Sequence, residues 1–223
     1  MVSMSFIDGF YSKPRVDMEL LREYSDGLVA LSGCIAGKIP QLIIAGSMAE
    51  AEASALEFKE IFGEDFYLEI QNHGLDDERR ANYGLKLISE KLGIPLVATN
   101  DVHYVKQEDA EAHDVLLAVQ TATSINDENR MRFANDQFYL KSEDEMRKIF
   151  ASMPEVIDNT QIVADACNVE FEFGHTILPN YDVPPEFETH YDYFKKLCDD
   201  GIIARYGENP SKEILERAEY ELG

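Results

Sequence analysis

The sequence predicts an α/β fold of parallel βα units followed by a helical extension. Three observations point there. Short runs rich in aliphatic, aromatic and β-branched residues recur at residues 28–34 (LVALSGC), 66–72 (FYLEIQN) and 95–101 (PLVATND). A helical pattern follows each one, at about residues 48–62, 76–92 and 107–121. Polar side chains able to hold a metal fall at the ends of the same runs. Strands alternating with helices of this length imply parallel pairing with right-handed crossovers.

Each element follows from its residues. The first run ends in the small residues Ser32 and Gly33 and then Cys34. The helix after it carries Ala51, Ala55, Leu56 and Phe58. The second run is aromatic and branched, and its helix places Tyr83, Leu87 and Ile88 on one side. The third run leads to a helix with Ala112, Val115, Leu116 and Val119. Residues 124–137 are polar and read as a loop. Ser142 with Glu145 three residues later is a capping box, which starts a helix at about Glu143. Pro154 opens another helix that runs to about Cys167. The stretch 168–188 holds Pro179, Pro184 and Pro185 and reads as an extended linker. Residues 191–222 are helical and charged. Three βα units cannot close a barrel, so further strands are expected before residue 1.

Composition narrows the function classes. The chain has 223 residues, 45% hydrophobic and 28% charged, enough for one domain or one and a part. No run of about 18 apolar residues marks a membrane span. The N-terminus lacks the charged start and apolar core of a signal peptide, so a cytoplasmic location is expected. Cys34, Cys167 and Cys198 are widely spaced and form no C-x-x-C pair, which excludes a disulfide framework and a zinc ribbon. The net charge is −23, with 43 acidic residues against 20 basic ones. Nucleic-acid grooves neutralise phosphates with Lys and Arg, so any DNA is expected to be held elsewhere.

The polar residues that interrupt the apolar pattern cluster at one place in the predicted fold. Cys34 ends the first strand, Asn72 and His73 follow the second, and Asn100, Asp101 and His103 end the third. Ligands of parallel α/β folds sit at the carboxyl ends of strands. A D-x-H pair just past a strand can aim both groups at one rim, because residues two apart share a face. Imidazole, carboxylate and thiolate together suit zinc, with manganese or iron where oxygen ligands dominate.

Seven strings, in order, carry a resemblance: GFYSKPRVD, LVALSGCIAGKIP, FYLEIQNHG, VATNDVHY, AHDVLLAVQT, QFYLKSEDEM and CNVEFEFGHTILPNY. Together they resemble the alpha subunit of bacterial DNA polymerase III, of the type without an inserted exonuclease. The resemblance covers nearly the whole chain and implies an incomplete PHP (βα)7-type barrel. Residues 1–167 would be the C-terminal part of the PHP domain, 168–190 a linker and 191–223 the helical start of the polymerase (palm/thumb) region. It implies metal ligands at Cys34, Asp101 and His103, with Glu69 and His73 lining the pocket. The family's earlier H-x-H and D-H ligands do not occur here. The implied cofactors are zinc or manganese at the PHP site and magnesium at a polymerase site outside this chain, whose aspartate triad is also not found. The implied activity of the parent is DNA-directed DNA synthesis, with a 3′–5′ exonuclease or structural role for the PHP pocket. The implied partners are DNA, deoxynucleotides, a sliding clamp and a proofreading exonuclease, with no membrane. A free-standing PHP phosphoesterase and a non-catalytic scaffold that docks an exonuclease remain as alternatives.

Overall fold

The strongest strand forms the centre of the sheet. In the computed structural model, which describes residues 1–223, β2 (Phe66–Ile70) lies between β1 (Ala30–Leu31) and β3 (Leu96–Ala98). Both pairings are parallel, with Ala30 opposite Phe66 and Leu68 opposite Leu96. Parallel strands covered on their faces are rich in apolar residues, and Phe66, Tyr67, Leu68 and Ile70 of β2 are all buried. The strands are shorter than the apolar runs. The sheet is open at β1 and β3, so the structure is a small parallel sheet and not a closed barrel.

The helices follow in chain order: α1 (Val2–Ile7), α2 (Met18–Glu23), α3 (Lys38–Ile44), α4 (Met48–Phe62), α5 (Asp76–Leu92), α6 (Ala110–Gln120), α7 (Glu143–Ile149), α8 (Glu155–Ala166), α9 (His190–Tyr206) and α10 (Lys212–Leu222). The chain divides into two compact units, Met1–Val169 and Glu170–Gly223.

In the first unit the core is built from Phe66, Leu68, Ile70, Leu96 and Ala98 on the strands. Ile39, Ala51, Ala55, Leu85, Ile88, Val156 and Ile157 meet them from the helices. Strand side chains alternate, so Glu69, Gln71 and Thr99 stand on the other face. The expected helix faces shift in two places. On α5 the buried positions are Glu78, Ala81, Leu85 and Ile88, at helical spacing, while Tyr83 and Leu87 are exposed. On α6 Leu117 and Ala118 are buried, while Val115, Leu116 and Val119 face outward. On α5 the core face is the apolar set Ala81, Leu85 and Ile88, offset from the expected one, while on α6 most of the apolar residues stay outside the core. Helix α3 is not among the elements expected from the sequence, and it contains Pro40. Pro40 sits in the first turn, where its missing N–H has no helical partner to lose.

The second unit contains α9 and α10, neither of which buries a residue. Thr189 caps α9 by accepting from the Asp192 N–H at 3.1 Å. Asp199 and Asp200 pair with Lys195 and Lys196 one turn earlier, so they are surface ion pairs. Residues 170–188 form no helix or strand.

One glycine shapes the loop that carries Cys34. Gly37 has a φ of −65°, which any residue can adopt, but a Cβ there would lie 2.3 Å from the Ser32 carbonyl oxygen. Close backbone approach, not dihedral freedom, requires glycine. Gly37→Ala should therefore lower stability by about 1–3 kcal/mol, the usual range for overpacking. Urea unfolding measures it, and an unchanged midpoint would mean that the loop moves aside freely.

Candidate metal centre

Strand β3 ends at Ala98, and the chain then turns sharply. Asp101 has φ +42°, in the left-handed region that few non-glycine residues enter. Asp is among the residues that tolerate it, because its short polar side chain can bond locally. The turn brings Asp101 Oδ1 to 3.4 Å from His103 Nε2. The expectation that the pair would share a face by strand alternation is thus corrected. The strand has already ended, and a left-handed residue produces the convergence. Both side chains remain partly open to solvent, 40% exposed for Asp101 and 38% for His103.

The separation is informative. It is long for a hydrogen bond. Donors bound at about 2.0–2.1 Å to a tetrahedral ion lie about 3.3–3.4 Å apart. The separation of Asp101 Oδ1 and His103 Nε2 is of that size.

The other candidates lie apart from this pair or are already engaged. Cys34 is a half-buried free thiol beyond β1. It lines a cavity of about 10 Å³ with Glu69, Gln71, Glu78 and Asn82. Glu69 is held within the sheet: its Oε1 accepts from Thr99 Oγ1 at 2.5 Å and from Gln71 Nε2 at 2.9 Å. His73 is buried and uses both ring nitrogens. Nδ1 faces Glu78 Oε1 in a short contact, and Nε2 donates to the Asn100 carbonyl at 2.9 Å. No group of three or more His, Cys, Asp or Glu side chains lies close enough together to hold a metal ion.

Several residues that shape the rim carry no sequence signal. Glu78 sits in an acidic first turn and reads as surface charge, yet it is 2% exposed. Burial pushes its carboxyl up, but hydrogen bonds from the His73 ring, the His73 N–H and the Leu75 N–H outweigh burial and leave it below its ordinary range. Asn100 donates to the carbonyls of Gln137 and Tyr139 at 3.1 and 2.7 Å. Lys141 is buried against Asn100 Oδ1, and burial holds its amine below the ordinary value against the pull of Glu145, Asp136 and Glu78.

The loop 124–137 packs its aromatic residue onto the rim. Phe133 lies 4.6 Å from the His103 ring centroid and 5.0 Å from that of His113. Arg130, 4% exposed at its side chain, clamps this loop to α6 through Asp114 and lowers the Asp114 carboxyl. Burial, helped by His103, holds the His113 imidazole below its ordinary value against Asp114.

Comparison with known proteins fixes the relationship. A family model described as PHP domain matches residues 1–73. The DNA polymerase III subunit alpha of Borreliella burgdorferi is 42% identical over 223 residues, covering 100% of this chain and 19% of that protein. This chain is homologous to one segment of the DNA polymerase III alpha subunit. The same subunit of Treponema pallidum is 43% identical over 221 residues, 99% of this chain and 19% of the relative. That of Thermus aquaticus is 43% identical over 216 residues, 92% of this chain and 17% of the relative. The chain thus spans about one fifth of the length of these alpha subunits. Cys34, Glu69 and His73 fall within the PHP match, while Asp101 and His103 lie beyond it. No helix is long and apolar enough to cross a membrane.

The segment against the rim also supplies a pH test. Glu145 accepts from the Tyr139 hydroxyl at 2.6 Å and from the Ser142 N–H at 2.8 Å, which with the Ser142 hydroxyl hold its carboxyl down from 4.5 to about 2. A depressed carboxylate stabilises the fold above its unfolded value and loses that contribution as pH falls through the folded one. Thermal unfolding of the chain and of Glu145→Gln should differ by a constant amount above pH 4.5, with the gap closing between 4.5 and about 2. A gap that persists at low pH would contradict the assignment.

Proposed function

We propose that this chain is the PHP-containing segment of a replicative DNA polymerase III alpha subunit, and that it contributes one side of a metal pocket to the intact subunit. Template-directed DNA synthesis is then the activity of the whole, through a magnesium site outside this chain. Identity of 42% over the whole of this chain, to 19% of an alpha subunit, carries the first part of the reading. The Asp101–His103 pair at 3.4 Å carries the second.

In this reading Asp101 and His103 are two ligands of zinc or manganese, and Cys34 supplies a thiolate to the same pocket. Two converging donors do not retain an ion well, so the remaining ligands come from the rest of the subunit. A bound divalent ion would supply Lewis acidity and a hydroxide suited to phosphoester hydrolysis, the chemistry of a 3′–5′ exonuclease. The chain's own contribution is to hold a carboxylate and an imidazole at ligand spacing on an open rim. His103 and Asp101 both reach solvent, so a substrate phosphate can approach. Glu69 shapes the sheet face through its bonds to Gln71 and Thr99.

The acidity of the chain supports a division of labour. With 43 acidic and 20 basic residues, it is a poor surface for a DNA backbone. DNA, deoxynucleotides, the sliding clamp and a proofreading exonuclease would be met by the remainder of the subunit in the cytoplasm. A structural pocket that docks such an exonuclease is a second reading, favoured by the lack of three converging donors within this chain. A free-standing phosphoesterase is disfavoured, because polymerase subunits match residues 74–223 as well as the PHP part.

Metal analysis of the intact subunit tests the pocket. Asp101→Ala and His103→Ala should each reduce bound zinc or manganese by at least about tenfold in affinity, as loss of a ligand or its direct support does. Unchanged metal content in both variants would remove these residues from the site.

A further inference from the structure

The candidate ligand pair does not hold its own position. The residue before it is tied into a buried relay of hydrogen bonds that starts on α5 and passes through the loop after β2. Asn100 is 8% exposed, and its carbonyl oxygen accepts from His73 Nε2 at 2.9 Å. His73 follows β2 and is 3% exposed. Its ring stacks on Phe138 with centroids 4.0 Å apart and planes 15° apart. Its other nitrogen faces Glu78, whose second oxygen accepts from the His73 backbone N–H at 2.7 Å.

The chemistry fixes the direction of the relay. A carbonyl oxygen only accepts, so Nε2 of His73 must carry a hydrogen. Glu78 holds the opposite edge of the ring and so sets its rotation. The ring in turn fixes the peptide between Asn100 and Asp101, where the chain enters its left-handed turn. A residue at φ +42° persists only where its surroundings determine it. From the opposite side the Asn100 side chain bonds to the 137 and 139 carbonyls, and the His103 N–H donates to the Phe138 carbonyl at 2.8 Å.

We infer that His73 and Glu78 are positioning residues for the metal pocket: they set the Asn100–Asp101 peptide and thereby aim Asp101 and His103 at a common point, without touching the ion. This rests on the proposed metal reading. It also gives His73 a different place from the one the family resemblance implies, since its ring faces Asn100 and Glu78 and has no free nitrogen.

Two near-isosteric amides separate positioning from mere support of the fold. In His73→Gln the side-chain amide N–H reaches about as far as Nε2 and can serve Asn100. In His73→Asn it reaches only as far as Nδ1 and serves Glu78 alone. Zinc affinity of the intact subunit would be measured by chelator competition, with metal-free unfolding temperatures alongside. The Gln variant should keep most of the wild-type affinity. The Asn variant should lose about 10–100-fold, the range for partners that orient metal ligands, at an unfolding temperature matching the Gln variant. Asn and Gln variants of equal zinc affinity, beside a normal wild type and a crippled Asp101→Ala, would overturn this inference alone. A wild-type subunit that takes up no zinc, or an Asp101→Ala variant that binds it normally, would overturn the pocket and the positioning role together.

Discussion

Parallel pairing puts the carboxyl ends of β1, β2 and β3 on one edge of the sheet, and the site depends on that constraint. Cys34, His73 and Asp101, far apart in the chain, each follow a strand end on that edge because all three strands run the same way. The pairing is held by the alternation of β2. Phe66, Leu68 and Ile70 enter the core with Leu96 and Ala98. Glu69 is left to bond with Gln71 and Thr99 across the opposite face. A one-residue slip would bury Glu69 among the helices and expose Leu68. The apolar face that fixes the register therefore also fixes which polar groups reach the rim.

Beyond the strand ends, backbone hydrogen bonding gives way to side chains. The turn at Asp101 has no ladder to support it. Asn100 takes over, with its carbonyl toward His73 and its amide toward the 137–141 segment. Lys141 and Glu78 close the network on either side. Buried polar groups of this kind are costly unless all are paired. Among buried side-chain polar atoms only Ser54 Oγ lacks a partner, and it lies on α4, away from the rim. A fully satisfied network of this size specifies one geometry for the turn, with the Asp101–His103 pair exposed beyond it.

Much of the frame was legible in the sequence, and the reasons are physical. Helices α4 and α5 begin and end where their patterns do, because Gly63 and Gly93 stop them at positive φ. The Ser142–Glu145 capping box starts α7 as the spacing implies. The three strands were visible as apolar runs, though pairing uses only part of each. What the sequence hid was burial. Glu78 looks like one of three acids on a helix start, and Arg130 looks like a scattered base, yet both are sequestered by partners 5 and 16 residues away. The pocket-lining place of His73 came from the family resemblance, and the engagement of both its ring nitrogens has no signature in the sequence. The shared approach of Asp101 and His103 was foreseen, but its cause, a left-handed turn, was not.

The central claim is that Asp101 and His103 are two ligands of an ion that shares its pocket with Cys34 and is completed from outside this chain. Anomalous diffraction from crystals of the intact subunit, recorded at the zinc and manganese edges, tests it most directly. The account predicts an anomalous peak bonded to both Asp101 Oδ1 and His103 Nε2, with further protein ligands from residues beyond this segment and the His73–Asn100 bond retained. A metal-loaded crystal whose anomalous peaks all lie away from this pair would contradict it.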